Sequence, residues 1–235
     1  MMTNRLLTVA FLAGLAVIFI QLLSGYAPDT DLNLTAGYYA NRTAPDLGAQ
    51  NIVTGIIVTY RGLDTLGEVT VLFLTAAIVA LVLVHGRAME AETGPKPLPA
   101  GELLQTGSRL LAPMILLLGI YVFVNGHLTP GGGFQGGAIV ASAVLLLLLT
   151  DPMRRFSHRL ISRIESTAGL LFVAIGLLGL LFAGGFLDAR FLPQGWFGAL
   201  LSAGAIPLIY SLIGLKVGAE FSSMLLSLSE TEDEK

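Results

Sequence analysis

The sequence contains no cysteine, and this absence removes several classes of function. Without thiolates the chain can form no disulfide, no thiolate metal site, no c-type haem attachment and no cysteine-ligated iron–sulfur cluster. Any redox chemistry near this protein must therefore belong to other chains.

Charge is also scarce. Only 12% of the residues are charged and 54% are hydrophobic, whereas soluble domains carry about 25% charged residues. With a mean hydropathy of +0.78, the chain has too little polar surface to cover a soluble globule. The 13 basic and 16 acidic residues give a net charge of -3, which provides no basic footprint for nucleic acid. We therefore expect an integral membrane protein without a nucleic-acid partner.

Six hydrophobic runs approach the length of about 20 residues that a helix needs to cross a bilayer. They lie at 6–24, 65–84, 109–125, 134–150, 167–187 and 207–228. The first run follows Arg5 and could be a signal peptide, but no small-x-small cleavage site follows it, so an uncleaved helix is favoured. The predicted fold class is an all-α membrane protein with about six transmembrane helices.

The basic residues are divided unequally between the two sides of these spans. With a cytoplasmic N-terminus, nine lie in inner segments and three in outer segments. The inner residues are Arg5, Arg87, Lys96, Arg109, Arg154, Arg155, Arg159, Arg163 and Lys235, and the outer residues are Arg42, Arg61 and Arg190. Because cytoplasmic loops carry the excess of Lys and Arg, both termini are predicted to be cytoplasmic.

Composition also divides the chain into parts. Residues 1–85 form a two-span module, 86–106 a proline-containing linker, 107–229 a four-span module and 230–235 an acidic tail that we expect to be disordered. The basic segment 152–165 is either an amphipathic stretch at the cytoplasmic surface or a solvated connector.

Lys216 and Glu220 are ionisable residues inside the last span, where charge is costly and therefore a functional candidate. Lys216 lies about 20 Å from the polar tail, near the middle of a bilayer. Their i, i+4 spacing lets the two side chains pair. Gly214 and Gly218 suit close helix packing on roughly the opposite face. The pair could carry charge, or it could be a static salt bridge between helices.

A second candidate is the segment 51–68, which runs into the second span. The stretch from Gln50 to Val84 is too long for one crossing, so the helix must break, and Gly62 is the natural place. Arg61, Asp64 and Glu68 would then share one stripe. We interpret Arg61 and Asp64 as a structural ion pair and Glu68 as a candidate for the ion or proton path.

A third candidate is the segment 126–137, which joins the third and fourth spans. Its proline and glycines predict a tight bend rather than a helix. These residues are Pro130, Gly131, Gly132, Gly133, Gly136 and Gly137. No Gly-Lys-Ser/Thr ending follows, so nucleotide binding is excluded. His127 could carry protons near neutral pH, or it could be an interfacial hydrogen-bonding residue.

Two of these segments resemble a known family. Segment 126–137 resembles the signature of the B subunit of Mrp-type (Mnh-type) multisubunit sodium/proton antiporters, and 107–229 has the length of that subunit. Segment 51–68, with its Tyr-Arg-Gly-Leu-Asp-Thr-Leu-Gly-Glu ending, resembles the C-terminal end of the large A subunit, a module that is the separate E subunit of membrane-bound hydrogenases. The extra N-terminal module, which a simple B subunit lacks, indicates a fused or rearranged operon. No family motif matches Lys216 or Glu220.

The resemblance implies an all-α transport subunit without a cofactor of its own, in a bacterial or archaeal cell membrane. It would pack beside antiporter-like subunits related to those of respiratory complex I, and its complex would exchange sodium ions for protons. Two alternatives remain open. The chain could belong to the membrane arm of an ion-pumping hydrogenase or related oxidoreductase, or it could be a purely structural membrane subunit.

Overall fold

The computed structural model describes residues 2–26, 31–89, 100–151, 154 and 156–233. Every regular element within these ranges is helical, which confirms the predicted all-α fold class. The α-helices are α1 (Met2–Ser24), α2 (Leu34–Leu47), α3 (Ile52–Gly55), α4 (Gly62–Met89), α5 (Glu102–Val124), α6 (Gly133–Thr150), α7 (His158–Ala183) and α8 (Ile206–Asp233). A π-helix (Ile56–Tyr60) and a 3-10 helix (Ala189–Phe191) complete the elements. The prolines of the predicted linker lie outside the described residues.

Six helices, α1 and α4 to α8, are long and apolar enough to cross a membrane, as predicted. Two of their boundaries correct the sequence analysis. Helix α7 begins at His158 because the Ser157 side chain caps it by accepting a hydrogen bond from the Leu160 N–H. The segment 152–165, predicted as an amphipathic stretch or a connector, is helical from His158 onward and continuous with the fifth span. Helix α8 continues to Asp233, so the tail predicted to be disordered is helical to that residue, consistent with the good helix propensity of glutamate.

Helix α2, which lies between the first two spans, was not predicted. Polar and small residues interrupt its apolar ones, and it contains Pro45 near its end, so no apolar run marks it. The side chain of Asn33 accepts a hydrogen bond from the Ala36 N–H at 2.8 Å, as an N-cap residue does. Thr43 and Leu47 are its buried residues.

The chain divides into two compact units, Met1–Tyr38 and Tyr39–Lys235. The first unit contains α1, and none of the residues in its span is buried. Such a helix is apolar around its whole circumference, which is the pattern of a membrane span rather than of a surface helix.

Helix α8 is the centre of the second unit and packs against α4, α5, α6 and α7. In its span 56% of the residues are buried, compared with 6% in the span of α4. The core contains Ile206, Ile209, Ile213 and Val217 of α8 together with Phe172 of α7. Ionisable groups on α8 are therefore enclosed by protein, whereas much of α4 faces outward.

Glycine allows α6 and α8 to approach closely. A Cβ atom added to Gly137 would lie 2.8 Å from the Gly214 carbonyl oxygen and 2.9 Å from the Gly218 amide nitrogen. One added to Gly133 would lie 2.6 Å from the Cβ of Ile213. The Gly214–Gly218 face of α8 is thus the contact face for α6, as the small-xxx-small spacing predicts.

Candidate functional site

The segment 126–137 forms the predicted bend between α5 and α6. Gly131 and Gly132 have φ angles of +152° and +155°, which favour glycine over residues with a side chain. A Cβ atom at Gly131 would lie 3.0 Å from the Val122 carbonyl oxygen, and one at Gly132 would lie 2.9 Å from the Gln135 side-chain oxygen. Helix α6 then begins at Gly133, so the last glycines belong to the helix rather than to the bend.

The two sequence segments that resemble antiporter subunits meet at this bend. The Asn51 side-chain nitrogen donates hydrogen bonds to the carbonyl oxygens of Gly126, at 2.9 Å, and Thr129, at 3.0 Å. The Thr54 hydroxyl donates a third, of 2.6 Å, to the Gly126 oxygen. The N–H groups of Gln50 and Asn51 both donate to the His127 carbonyl oxygen at 3.0 Å. Segments 51–68 and 126–137 are therefore one hydrogen-bonded structure, which we call the Asn51 joint.

His127 lies inside this joint and is fully buried. Its Nε2 is 3.4 Å from the Ala199 carbonyl oxygen, and Nδ1 has no hydrogen-bond partner within the described ranges. Burial lowers the pKa of the imidazole below 6.5, and hydrogen bonds to backbone carbonyls oppose this shift only in part. A neutral, enclosed ring fits the hydrogen-bonding interpretation better than that of a proton carrier at neutral pH.

Lowering the pH from about 7.5 to about 5.5 is therefore expected to reduce the stability of the protein. The unfolded chain binds a proton near the ordinary pKa of 6.5 and the folded chain only at lower pH, so the contribution of neutral His127 is fully present above pH 6.5 and declines as the pH falls below it. For one group the slope cannot exceed about 1.4 kcal/mol per pH unit.

This dependence is measured as the difference in Tm between the two pH values in mild detergent. The variant His127→Gln should show a smaller difference than the wild-type protein. His158, an exposed histidine at the start of α7, supplies the control His158→Gln, which should retain the full difference. An unchanged difference in His127→Gln would show that other groups titrate.

Lys216 and Glu220 form the predicted pair, with 2.5 Å between Nζ and Oε1. Lys216 is 8% exposed and Glu220 is 0% exposed. The ammonium group lies 5.2 Å from the centre of the Phe73 ring on α4, and a Cβ atom at Gly169 of α7 would lie 3.8 Å from it. The pair thus faces α4 and α7, away from the glycine face that contacts α6, as the sequence predicts.

The pair leaves one polar atom unsatisfied and has a neighbour that the sequence analysis missed. Glu220 Oε2 is buried and has no hydrogen-bond partner in the described part of the chain. Glu165 of α7 lies close enough for its carboxylate to interact electrostatically with Glu220. The site therefore contains two carboxylates and one amine.

Glu68 is placed differently from Lys216 and Glu220. It lies in the span of α4, as predicted, but its side chain is exposed at the surface of this chain. It lines a cavity of about 420 Å³. The other residues that line this cavity are Val53, Ile57, Thr65, Gly131, Gly133, Phe134, Gln135, Tyr210 and Ile213. Glu68 therefore opens onto a space that is walled by both segments of the Asn51 joint.

The ion pair between Arg61 and Asp64 is present, and both side chains are at least half exposed. The helix break lies at Arg61, next to the predicted Gly62: the π-helix ends at Tyr60, and Arg61 has non-helical φ and ψ angles of -123° and 36°. Arg61 is thus outside α4, which corrects the prediction that it shares one helical stripe with Glu68. Exposed pairs of this kind contribute little to stability.

The charged and polar groups of the candidate site follow one another along α4 and α8. Tyr210, at the start of α8, lines the same cavity as Glu68. Further along α8, Lys216 lies beside Phe73, which follows Glu68 by more than one turn of α4. Glu220 and its neighbour Glu165 come last. No cluster of three His, Cys, Asp or Glu side chains that could hold a metal ion occurs among residues that the structure describes.

Two families of known proteins match this chain. Residues 103–223 match a family described as "Domain related to MnhB subunit of Na+/H+ antiporter", and residues 2–96 match a family described as the E subunit of MBH. A Rhizobium meliloti protein, named as the A/B subunit of a probable K(+)/H(+) antiporter, is 29% identical over 196 residues, which are 74% of this chain and 19% of that protein.

Two solved structures have the same fold. One chain of the membrane-bound sulfane sulfur reductase, an archaeal respiratory membrane complex, is 38% identical with a TM-score of 0.80, and the match covers 96% of this chain and 97% of that chain. A chain of the Mrp complex from Dietzia sp. DQ12-45-1b is 26% identical with a TM-score of 0.79. That match covers 97% of this chain but only 26% of the other, so this chain corresponds to one part of a larger protein.

Proposed function

The chain belongs to the family of domains related to the MnhB subunit of Na+/H+ antiporters, and from this we propose that it is a membrane subunit of a multisubunit monovalent cation/proton antiporter complex. Its N-terminal part matches the family of MBH E subunits, and we assign that part to the same complex. The chain supplies no catalytic chemistry. It helps to form the route by which ions and protons cross the membrane, and its partners are other membrane subunits of the same complex.

The observation that carries this proposal is the row of charges through the second unit. Glu68 opens onto a cavity, Lys216 and Glu220 pair in the enclosed part of α8, and Glu165 follows. Charges within a membrane are costly and persist mainly where ions or protons move. We propose that Glu68 admits the ion or proton and that the Lys216–Glu220 pair relays a proton or biases the route electrostatically.

The direction of this row follows from the predicted topology. Segments 50–61, 125–132 and 184–205 connect the spans at one end of the second unit, because Gln50 and Ala199 both contact His127. With cytoplasmic termini, this end faces the outside, so the row runs from Glu68 near the outer surface to Glu165 near the inner surface.

A second candidate is the membrane arm of an ion-pumping oxidoreductase complex. It is favoured by the match to a chain of the sulfane sulfur reductase complex, which covers that chain almost completely. The same row of charges would then move ions in response to electron transfer in other subunits. A purely structural role, in which the pair only holds α8 against its neighbours, is the remaining alternative.

Purification of the complex through a tag on this chain tests the proposal. In mild detergent we expect antiporter-like membrane subunits to co-purify. When this chain is omitted from the complete set of subunits, Na+- or K+-dependent proton movement in vesicles should disappear. Co-purification of hydrogenase-like or iron–sulfur subunits would favour the second candidate. Normal exchange by a complex assembled without this chain would refute a role in the route.

A further inference from the structure

The cavity beside Glu68 brings one carboxylate and a few neutral oxygen atoms together among mostly apolar walls. We propose that it binds a partly hydrated monovalent cation, with the Glu68 carboxylate as the charged ligand and hydroxyl and amide oxygens as neutral ligands. This inference rests on the proposed function, because it names the ligand that the outer end of the route would hold.

The volume of the cavity suits an ion with part of its hydration shell. At about 30 Å³ per water molecule, a space of about 420 Å³ holds on the order of a dozen waters. The space opens at the surface of the chain, where Glu68 is exposed. The polar groups among its mostly apolar walls give water partners there.

One hydroxyl group of the cavity lining, that of Thr65, is oriented to accept rather than to donate. The Thr65 hydroxyl donates its proton to the Ile57 carbonyl oxygen at 2.8 Å. With that proton engaged, the Thr65 hydroxyl can offer only oxygen lone pairs to a ligand. Lone pairs attract a cation and repel an anion.

The amide of Gln135 adds a further oxygen at the edge of the glycine bend. Its Oε1 is the atom that a Cβ atom at Gly132 would approach to 2.9 Å. Gly131 and Gly133 also line the cavity, but a Cβ atom at either would meet Val122 or Ile213 rather than open space.

The charge of the lining favours a monovalent ion. Glu68 is the one carboxylate among the residues that line the cavity, and Lys and Arg are absent from that set. Calcium takes six to eight oxygen ligands, usually with several carboxylates. A single carboxylate with neutral oxygens balances one positive charge and holds it weakly enough for release. A proton on the carboxylate of Glu68 would compete with the cation for the same oxygen atoms.

The experiment measures ion binding separately from transport. The complex is purified through a tag on this chain, and binding of Na+ and of K+ (as their chlorides) is followed by 23Na line broadening and by competition with K+. Saturable binding is expected in the wild-type complex, and Glu68→Gln should weaken it at least tenfold. The matched control is Asp64→Asn, which removes a carboxylate one turn away on the same helix. The Asp64 carboxylate pairs with Arg61 and does not line the cavity. The control should change the affinity less than twofold.

Two results would contradict the proposed cation site. One is unchanged binding in Glu68→Gln. The other is an equal loss in Asp64→Asn, which would indicate general surface attraction or a basic side chain of a neighbouring subunit in the cavity. Either result leaves the proposed function standing if the wild-type complex exchanges ions. Conversely, binding that is lost only in Glu68→Gln, in a complex that shows no cation/proton exchange, would support the site and refute the proposed function.

Discussion

Replacing Lys216 and Glu220 together by methionine is expected to leave the complex assembled and to abolish its ion exchange. Removing one partner of a buried pair costs about 3–5 kcal/mol because the other charge is left uncompensated, whereas replacing both by apolar residues of similar volume is often neutral or stabilising. Both side chains are enclosed by protein, so these energies apply here. The single variant Lys216→Met should therefore lower the amount of assembled complex, and the double variant should restore it.

Measurement of ion transport distinguishes a proton relay from a static salt bridge. If the pair moves or biases protons, the restored double variant still exchanges no ions, because methionine neither carries a proton nor creates a field. Exchange is measured as Na+- or K+-dependent proton movement in vesicles, normalised to the amount of assembled complex. Leu215→Met, at an exposed position of the same helix, is the control for methionine in α8. Normal exchange by the double variant would show that the pair is only structural.

Gly137→Val is expected to prevent assembly of the four-span module. Its Cβ atom would lie 2.8 Å from the Gly214 carbonyl oxygen and 2.9 Å from the Gly218 amide nitrogen, and these backbone atoms can move away only if α6 and α8 separate. Overpacking of a core costs about 1–3 kcal/mol and occasionally more, and here the misfit lies at the contact of the central helix. The expected result is a large loss of folded protein in detergent.

The matched control for this substitution is Gly107→Val in α5. A Cβ atom at Gly107 would meet nothing within 4 Å, so the same added side chain causes no clash within this chain. Folded yield is measured by size-exclusion chromatography of the tagged protein. Equal yields from the two variants would mean that the α6–α8 contact tolerates separation, and that close packing there is not required.

Much of this arrangement could be predicted from local sequence. Apolar runs located all six spans, and the i, i+4 spacing of Lys216 and Glu220 predicted both their pairing and the direction in which they face. The matching families confirm the resemblance of segment 126–137 to the antiporter B subunit and of segment 51–68 to the E subunit of MBH. These properties depend on residues within one helix or one short segment, for which spacing alone fixes the geometry.

The rest depends on contacts between distant segments. Glu165 was missed because the fifth span was predicted to begin at 167, and the Ser157 cap that extends α7 was not recognised. Thr65, Gln135 and Tyr210 are ordinary polar residues in sequence and gain meaning only because three helices bring them to one cavity. The exposure of Glu68 could not be predicted either, since its depth along α4 does not define which way the side chain points.

The Asn51 joint has a consequence for how the protein is made. If its two halves were on separate chains, they would have to find each other by diffusion within the membrane. On one polypeptide they occur in equal number by translation, and their meeting becomes intramolecular. Four of the hydrogen bonds that bridge the halves can therefore form before the other subunits arrive. They run from the Asn51 and Thr54 side chains to Gly126 and Thr129, and from the Asn51 N–H to His127. Closure of the joint is thus a step of folding rather than of assembly.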